Sequence, residues 1–335
     1  MSINRIFIRD ILNNSDFFIN KPFLDLYCCI DNLQEKSAKN NSSYIEFTGK
    51  DKTGSINCKS WGTKLDDLSI KNGDIVKLRC KFKKHNDTNQ LIIEKDKNKT
   101  LLLRIADDND FKIIRVDDFY KTSPTSFKEM YNYLISTINT FHNEELKRIC
   151  LLFMKKYKTE LEYYPGAKAN HHAYKTGLIY HIYNMARQGV EVAKIYNLNK
   201  DLLLSGVILH DIGKIETMNS TEQGIVTDFT AEGVLFEHII QGILMIENLA
   251  REANISYDTK TLLIHMVLSH HGKPEWGSCR YPAFAEAEAL HHLDNMDAKI
   301  NAILENLEGI SNDTNVTGPI RSLDGRVLYK HNLEK

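Results

Sequence analysis

The stretch VILHDIGKI, residues 207–215, decides how the C-terminal two thirds of this chain is read. Four apolar or small residues, from Gly206 to Leu209, lead into the pair His210-Asp211. A carboxylate in such a setting is costly to bury unless it is paired or bound to a metal. Successive helix residues point about 100° apart, so His210 and Asp211 can serve as ligands from neighbouring directions, and Asp211 can bridge two ions.

Outward from the pair, the same residue types recur in order: His181 before it, then His238, His270-His271 and Asp294 after it. Histidine and aspartate are the ligand types for divalent metals that activate water. Of the 13 histidines, 10 lie between His171 and His292. One His-Asp dipeptide means little, and a lone core histidine is usually a hydrogen-bonded core residue; the ordered set points to a metal centre. His265, His291 and His292 read as helix-face residues or as supports behind the ligands. Asp297 shares a face with Asp294, and either orients the site or pairs with Lys299.

The ligands sit in a helical region. After SPTS (123–126) the periodicity predicts helices to Phe141, capped by Ser123 or Ser126, and over 142–157, 172–195, 200–213, 232–252, 257–271 and 284–307. The tail GPIRSLDGRVLYKHN (318–332) is irregular and is expected to pack back on the body. Upstream the pattern changes. KPFLDLYCCIDNL (21–33), SSYIEFTGK (42–50), GSINCKSWG (54–62), GDIVKLRCKFKKH (73–85) and NQLIIEKD (89–96) read as strands, separated by turn signals at 51–54, 71–74 and 85–89. A short helical piece fits between Thr63 and Ile70. Five strands interrupted once after the third give the order of an OB-fold barrel. DKTGSINCKSWG (51–62) resembles the strand 2 to strand 3 region of nucleic-acid-binding OB domains. The fold expected is an all-β OB barrel (1–104), a linker or docking strap (105–122), an all-α domain (123–313) and a tail (314–335).

Composition sets the class. A length of 335 residues suggests two domains, and 42% hydrophobic with 26% charged residues is ordinary for a soluble protein. No apolar run approaches the ~18 residues of a membrane span, and MSINRIFIRD lacks the apolar stretch and cleavage site of a signal peptide. The six cysteines contain no CxxC pair and read as reduced thiols of a cytoplasmic protein. The net charge of −1 hides a split. Residues 1–100 hold 18 Lys+Arg against 13 Asp+Glu, and the remainder holds 25 against 31. The front therefore carries +5, suited to a polyanion, and the back −6, a count that omits any metal.

The series His181, His210-Asp211 and Asp294 resembles the signature of HD-domain metal-dependent phosphohydrolases. That resemblance implies a first ion held by His181, His210, Asp211 and Asp294. A second would be held by His238 and His270 or His271, with Asp211 shared. Lys214 matches a lysine that follows the pair in many members and is assigned to a phosphate oxygen. AKANHHAYKTGLIYH (167–181), SHHGKPEWGS (269–278) and EAEALHHLDNMDAK (286–299), joined to an N-terminal OB domain, resemble the YhaM family of 3′→5′ exoribonucleases over nearly the whole chain. Cys279-Arg280 and Ala283-Phe284 depart from that family, where Pro-Val and Lys-Thr are expected.

The resemblance implies hydrolysis of single-stranded RNA from its 3′ end to 5′-mononucleotides. It implies Mn²⁺, with Co²⁺ or Mg²⁺ as substitutes. Single-stranded DNA as a second substrate and assembly into a homo-oligomer stay open; no membrane partner is expected. His171 and His172 either touch the scissile phosphate or terminal ribose, or cap the following helix. Lys273 and Arg280 either neutralise phosphates or are solvated charges. On the OB domain, Tyr27, Tyr44, Phe47, Trp61 and Phe82 are stacking candidates, about half of them expected in the core. Lys50, Lys52, Lys59 and the patch Lys81, Lys83 and Lys84 are the cations. The rival readings are an HD phosphohydrolase of nucleotides or cyclic dinucleotides and a non-catalytic RNA-binding adaptor. Against cyclic dinucleotides, no GYP triplet follows the SHH segment; RYP (280–282) is a different triplet.

Overall fold

In the computed structural model, residues 5–38, 42–85, 88–168, 172–308, 310 and 315–333 are described. The chain divides into two compact units, Met1–Lys121 and Thr122–Lys335.

The first unit opens with two short helices, α1 (Ile8–Asn13) and α2 (Ser15–Ile19), which the sequence reading did not anticipate. The strands follow as β1 (Leu24–Ser37), β2 (Ser43–Asp51), β3 (Gly54–Trp61), β4 (Ile75–His85), β5 (Thr88–Ile93) and the short β6 (Leu103–Ile105). The order is β1-β2-β3-β5-β4, and a further β1–β4 pairing closes the ring, with β3–β5 parallel. This is the OB barrel topology. β1 serves two neighbours: Leu24–Cys29 pairs with β4 and Cys29–Ser37 with β2. The change of partner coincides with a register shift between Asp31 and Gln34, where Asn32 takes a left-handed φ of 52°, the kind of bulge that bends a strand. Alternation sends Leu26, Ile30, Ile45, Phe47, Leu78, Phe82 and Leu91 inward. A 3-10 turn, Leu65–Asp67, fills the interruption after β3.

Of the two readings of residues 105–122, linker or docking strap, the contacts favour the strap. Up to Lys121 they belong to the first unit. Two 3-10 turns, Asp110–Lys112 and Val116–Asp118, lay the segment on the barrel and bury Ile114, Phe119 and Tyr120. Its aspartates find barrel cations: Asp110 accepts from Arg104 and Tyr27, and Asp118 from Arg5 and Lys52.

The second unit is helical: α3 (Phe127–Asn139), α4 (Glu144–Lys156), α5 (Lys158–Leu161), α6 (Gly177–Tyr196), α7 (Lys200–Leu209), α8 (Lys214–Thr217), α9 (Ala231–Leu235), α10 (Glu237–Glu252), α11 (Tyr257–Ser269) and α12 (Ala285–Glu308). Ser126 is the residue that caps α3. α7 is buried from Asp201 to Leu209, as a helix apolar on nearly every side should be, and packs against α4, α6, α11 and α12. It ends at Leu209, so His210 and Asp211 lie at its C-terminal turn and not inside a helix running to residue 213. A hairpin, β7 (Met218–Ser220) and β8 (Val226–Phe229), follows α8 and was not anticipated. In the tail, Leu323 is buried and the 3-10 turn Arg321–Leu323 packs on α12. Among the described residues, no helix is long and apolar enough to cross a membrane.

Gly213 sets how closely α10 approaches the His-Asp turn. A Cβ there would lie 2.0 Å from the His238 carbonyl oxygen and 2.6 Å from the Gly242 nitrogen. Both are backbone atoms, so α10 would have to move. Gly213→Ala is expected to cost about 1–3 kcal/mol of stability in a denaturant titration, and to weaken metal binding by withdrawing His238.

Candidate metal centre

Four helix ends and one helix face converge on Asp211. α6 supplies His181 from its second turn, the end of α7 supplies His210 and Asp211, and the start of α10 supplies His238. The end of α11 supplies His270 and His271, and α12 supplies Asp294. His181, His210, Asp211 and His270 are buried.

The two oxygens of Asp211 face different histidines. Oδ2 lies 3.3 Å from His210 Nε2 and 3.8 Å from His181 Nε2. Oδ1 lies 3.7 Å from His238 Nε2 and 3.9 Å from His270 Nε2. His181 Nε2 is also 3.2 Å from His210 Nε2 and from Asp294 Oδ1. Ligand atoms about 2.0–2.2 Å from a shared ion are separated by about 3.0–3.6 Å, so these spacings approach the edges of a coordination shell. His181, His210 and Asp211 form one compact donor group, and His238, His270 and His271 another.

The ring hydrogen bonds present the right nitrogen. His210 Nδ1 donates to the Val207 carbonyl, His270 Nδ1 to that of Val267 and His271 Nδ1 to that of Trp276. His181 Nδ1 donates to Asp297 Oδ2 at 2.7 Å. In His210, His270 and His271 this leaves Nε2 with its lone pair, whereas His181 Nε2 faces Asp294 Oδ1 at 3.2 Å. The Nε2 atoms of His238 and His270 are buried and lack any hydrogen-bond partner. Buried polar atoms are seldom left unsatisfied, and a divalent cation held by these residues would supply what they lack. The residues therefore fit a pair of divalent ions.

Electrostatics agree. Burial pushes His238 down to about 3 and holds His270 well below the usual histidine range, so both are neutral at neutral pH. Burial works against ionising Asp211, but Lys214 and His210 outweigh it and keep the carboxyl well below the usual carboxylate range. Burial likewise opposes a charge on His181, but its hydrogen bonds to Asp294 and Asp297 raise it to about 10. To serve as a ligand through Nε2, His181 would have to give up that proton.

Asp297 holds the His181 ring from behind, and among the described contacts it does not pair with Lys299. Its Oδ2 accepts from both His181 and His172, and its Oδ1 from Asn301 Nδ2. This answers the placement of His172: the residue is fully buried, with Nε2 on Asp297 and Nδ1 on the Tyr174 hydroxyl. No ring nitrogen is left for substrate, which corrects the substrate-binding expectation there. His171 lies outside the described residues. Asn301 and Tyr174 escaped the sequence reading; Asn301 stands four residues after Asp297 on the same helix face, the only available signal. Asp297→Asn is expected to lower metal affinity about 10- to 100-fold in a metal titration while the fold survives.

The remaining candidates are scattered. Lys214 Nζ is 2.6 Å from Asp211 Oδ2, at the edge of the cluster. Lys273 lies over the Trp276 ring at 5.0 Å, and Arg280 is exposed. His265 Nε2 accepts from the Ala283 amide, and His291 Nδ1 donates to the His270 carbonyl behind the ligand. His292 faces Glu288.

On the barrel, Phe47 and Phe82 are core, and Tyr27 is tied to Asp110. Tyr44 and Trp61 stack at 4.6 Å, with Trp61 47% exposed and Lys59 over Tyr44. The lysines are less available than their number suggests. Lys50 pairs with Asp31, Lys59 with Glu46 and Lys81 with Glu94. Strand alternation puts Lys81 and Lys83 on one face and Lys84 on the other, so the three do not make a single patch.

The HD domain family model matches residues 178–306. A Bacillus licheniformis protein named 3′-5′ exoribonuclease YhaM is 35% identical over 92% of this chain and 94% of its own length. A Geobacillus protein of the same name is 35% identical over 92% of this chain and 91% of its own. Among solved structures, the OB domain of Ta0387 from Thermoplasma acidophilum aligns with 28% of this chain and 84% of its own at 14% identity, with a TM-score of 0.23.

Proposed function

Since this chain belongs to the YhaM family of 3′-5′ exoribonucleases, we propose that it removes 5′-mononucleotides one at a time from the 3′ end of single-stranded RNA at the centre around Asp211. It is a metal-dependent exoribonuclease of the HD superfamily. The observation that carries the site assignment is the split carboxylate: one oxygen of Asp211 toward His181 and His210, the other toward His238 and His270.

His181, His210, Asp211 and Asp294 would hold the first ion, and Asp211, His238, His270 and His271 the second. When bound, two divalent ions supply Lewis-acid charge to the phosphodiester and lower the pKa of a water. The chain's own residues do the rest. Asp297 and the backbone carbonyls hold the imidazoles in register. Lys214, 2.6 Å from Asp211 Oδ2, would offer its ammonium to a phosphate oxygen. Mn²⁺ is the proposed ion, and Co²⁺ or Mg²⁺ also suit the His/Asp donor set. Single-stranded DNA, which shares the phosphate chemistry, is the proposed secondary substrate. The cytoplasm is the proposed location, supported by six free thiols, five of them buried.

The Tyr44–Trp61 pair is the best stacking surface on the barrel, because bases stack on exposed aromatics regardless of sequence. Trp61→Ala is expected to weaken binding of single-stranded RNA by about 1–3 kcal/mol, read by fluorescence anisotropy with a catalytically inactive background. Incubating the enzyme separately with RNA, free nucleotides and cyclic dinucleotides tests the functional reading. Mononucleotides should appear from RNA alone, and hydrolysis of the small substrates with intact RNA would contradict it.

A further inference from the structure

A cavity of about 540 Å³ opens beside the cluster, with Lys214 and His238 in its wall. Its volume falls within the ~300–1,000 Å³ of sites for single small ligands. Phe229 and Val234 form an apolar side, and Lys168 and Glu237 complete the polar one. Several features are unexplained by folding alone. Phe229 is 42% exposed at the end of β8, and Val234 is 71% exposed on α9. Lys168 stands over the Phe229 ring at 4.9 Å. Glu237 carries a left-handed φ of 56°, an unfavourable conformation for a residue with a side chain. That turn separates α9 from α10 and puts two neighbours in sequence, Glu237 and the ligand His238, on the wall of the same cavity.

We propose that this cavity receives the 3′-terminal nucleotide of the RNA, with Phe229 stacking on its base and Glu237 accepting a hydroxyl of its ribose. The proposal rests on the exoribonuclease reading and adds the residues that recognise the chain end. Continuity with the cluster argues for this occupant: a nucleotide here hangs its 5′ phosphate on the wall that carries Lys214 and His238. The two lysines suit that phosphate. The carboxylate does not, since it would repel any phosphate placed near it. An ionised carboxylate only accepts hydrogen bonds, so it suits the 2′,3′-diol of a terminal ribose, as acidic residues do at other nucleotide sites. Glu237 therefore admits a free 3′ end and rejects one bearing a phosphate.

The test compares kcat/KM on RNA ending in a 3′-hydroxyl and RNA ending in a 3′-phosphate, for the wild type, Glu237→Gln and Phe229→Ala. The wild type should prefer the hydroxyl end. Glu237→Gln, which keeps the side chain's shape, should lower that preference about 10- to 100-fold, with bound metal unchanged. Phe229→Ala should raise KM for both ends with a smaller change in kcat. A wild type indifferent to the 3′ group, or a Glu237→Gln enzyme as selective as the wild type, overturns the pocket assignment. A wild type that leaves both RNAs intact overturns the exoribonuclease reading instead.

Discussion

Asp211→Ala is expected to abolish RNA hydrolysis and to leave the centre without metal. Asp211 is the only described residue whose carboxylate faces both donor groups. Removing it leaves His181 and His210 on one side and His238 and His270 on the other without the shared anion that holds two cations close together. Each ion contributes several kcal/mol of charge stabilisation, so losing both should lower turnover by at least ~10⁴-fold. The same change leaves the Lys214 ammonium without its carboxylate partner, which costs stability. Asp211→Asn separates the two effects: the amide keeps the shape and one acceptor but not the charge. Its turnover should fall as far while its circular dichroism stays native. RNA binding should largely survive in both, because Tyr44 and Trp61 lie on the barrel.

His270→Ala is expected to lose one of two bound ions and keep the other. His270 Nε2 is buried, has no hydrogen-bond partner and faces Asp211 Oδ1. It is held neutral by burial, so its loss leaves a smaller and less basic donor group around the second ion. The first group, with His181, His210, Asp211 and Asp294, is untouched. Elemental analysis after desalting should give two ions per chain for the wild type and one for the variant. Turnover should drop by about 10²- to 10⁴-fold, the share of one ion. Two retained ions would show that His270 is not a ligand and that His238 and His271 suffice.

The candidate ligands were legible because each announces itself chemically and their order along the chain is constrained. What holds them was not. Asp297 and His172 are 125 residues apart, and Asp297 and His181 are 116 apart. Only the packing of α12 against α6 brings them together. The pair His171-His172 looked like an approach to substrate because adjacency says nothing about direction; the left-handed backbone at His172 and its bond to Tyr174 turn the ring inward. The pattern over 232–252 reads as one helix, and it is the conformation of Glu237 that divides it. The strands of the β7–β8 hairpin, of three and four residues, are too short for alternation to be read. On the barrel, period-two alternation puts about half of the aromatics inward without saying which; the structure buries Phe47 and Phe82, and Glu46 and Glu94 sit where they neutralise the lysines.

The most direct measurement follows one RNA labelled at its 5′ end and the same RNA labelled at its 3′ end, each with the wild-type enzyme in the presence and absence of Mn²⁺. With the ion, the 3′ label should appear as a mononucleotide from the first turnovers, while the 5′-labelled strand shortens as a ladder. Without it, both should remain full length. Early release of the 5′ label, internal fragments from both RNAs, or equal decay with the metal chelated would contradict a 3′→5′ exonuclease built on this centre.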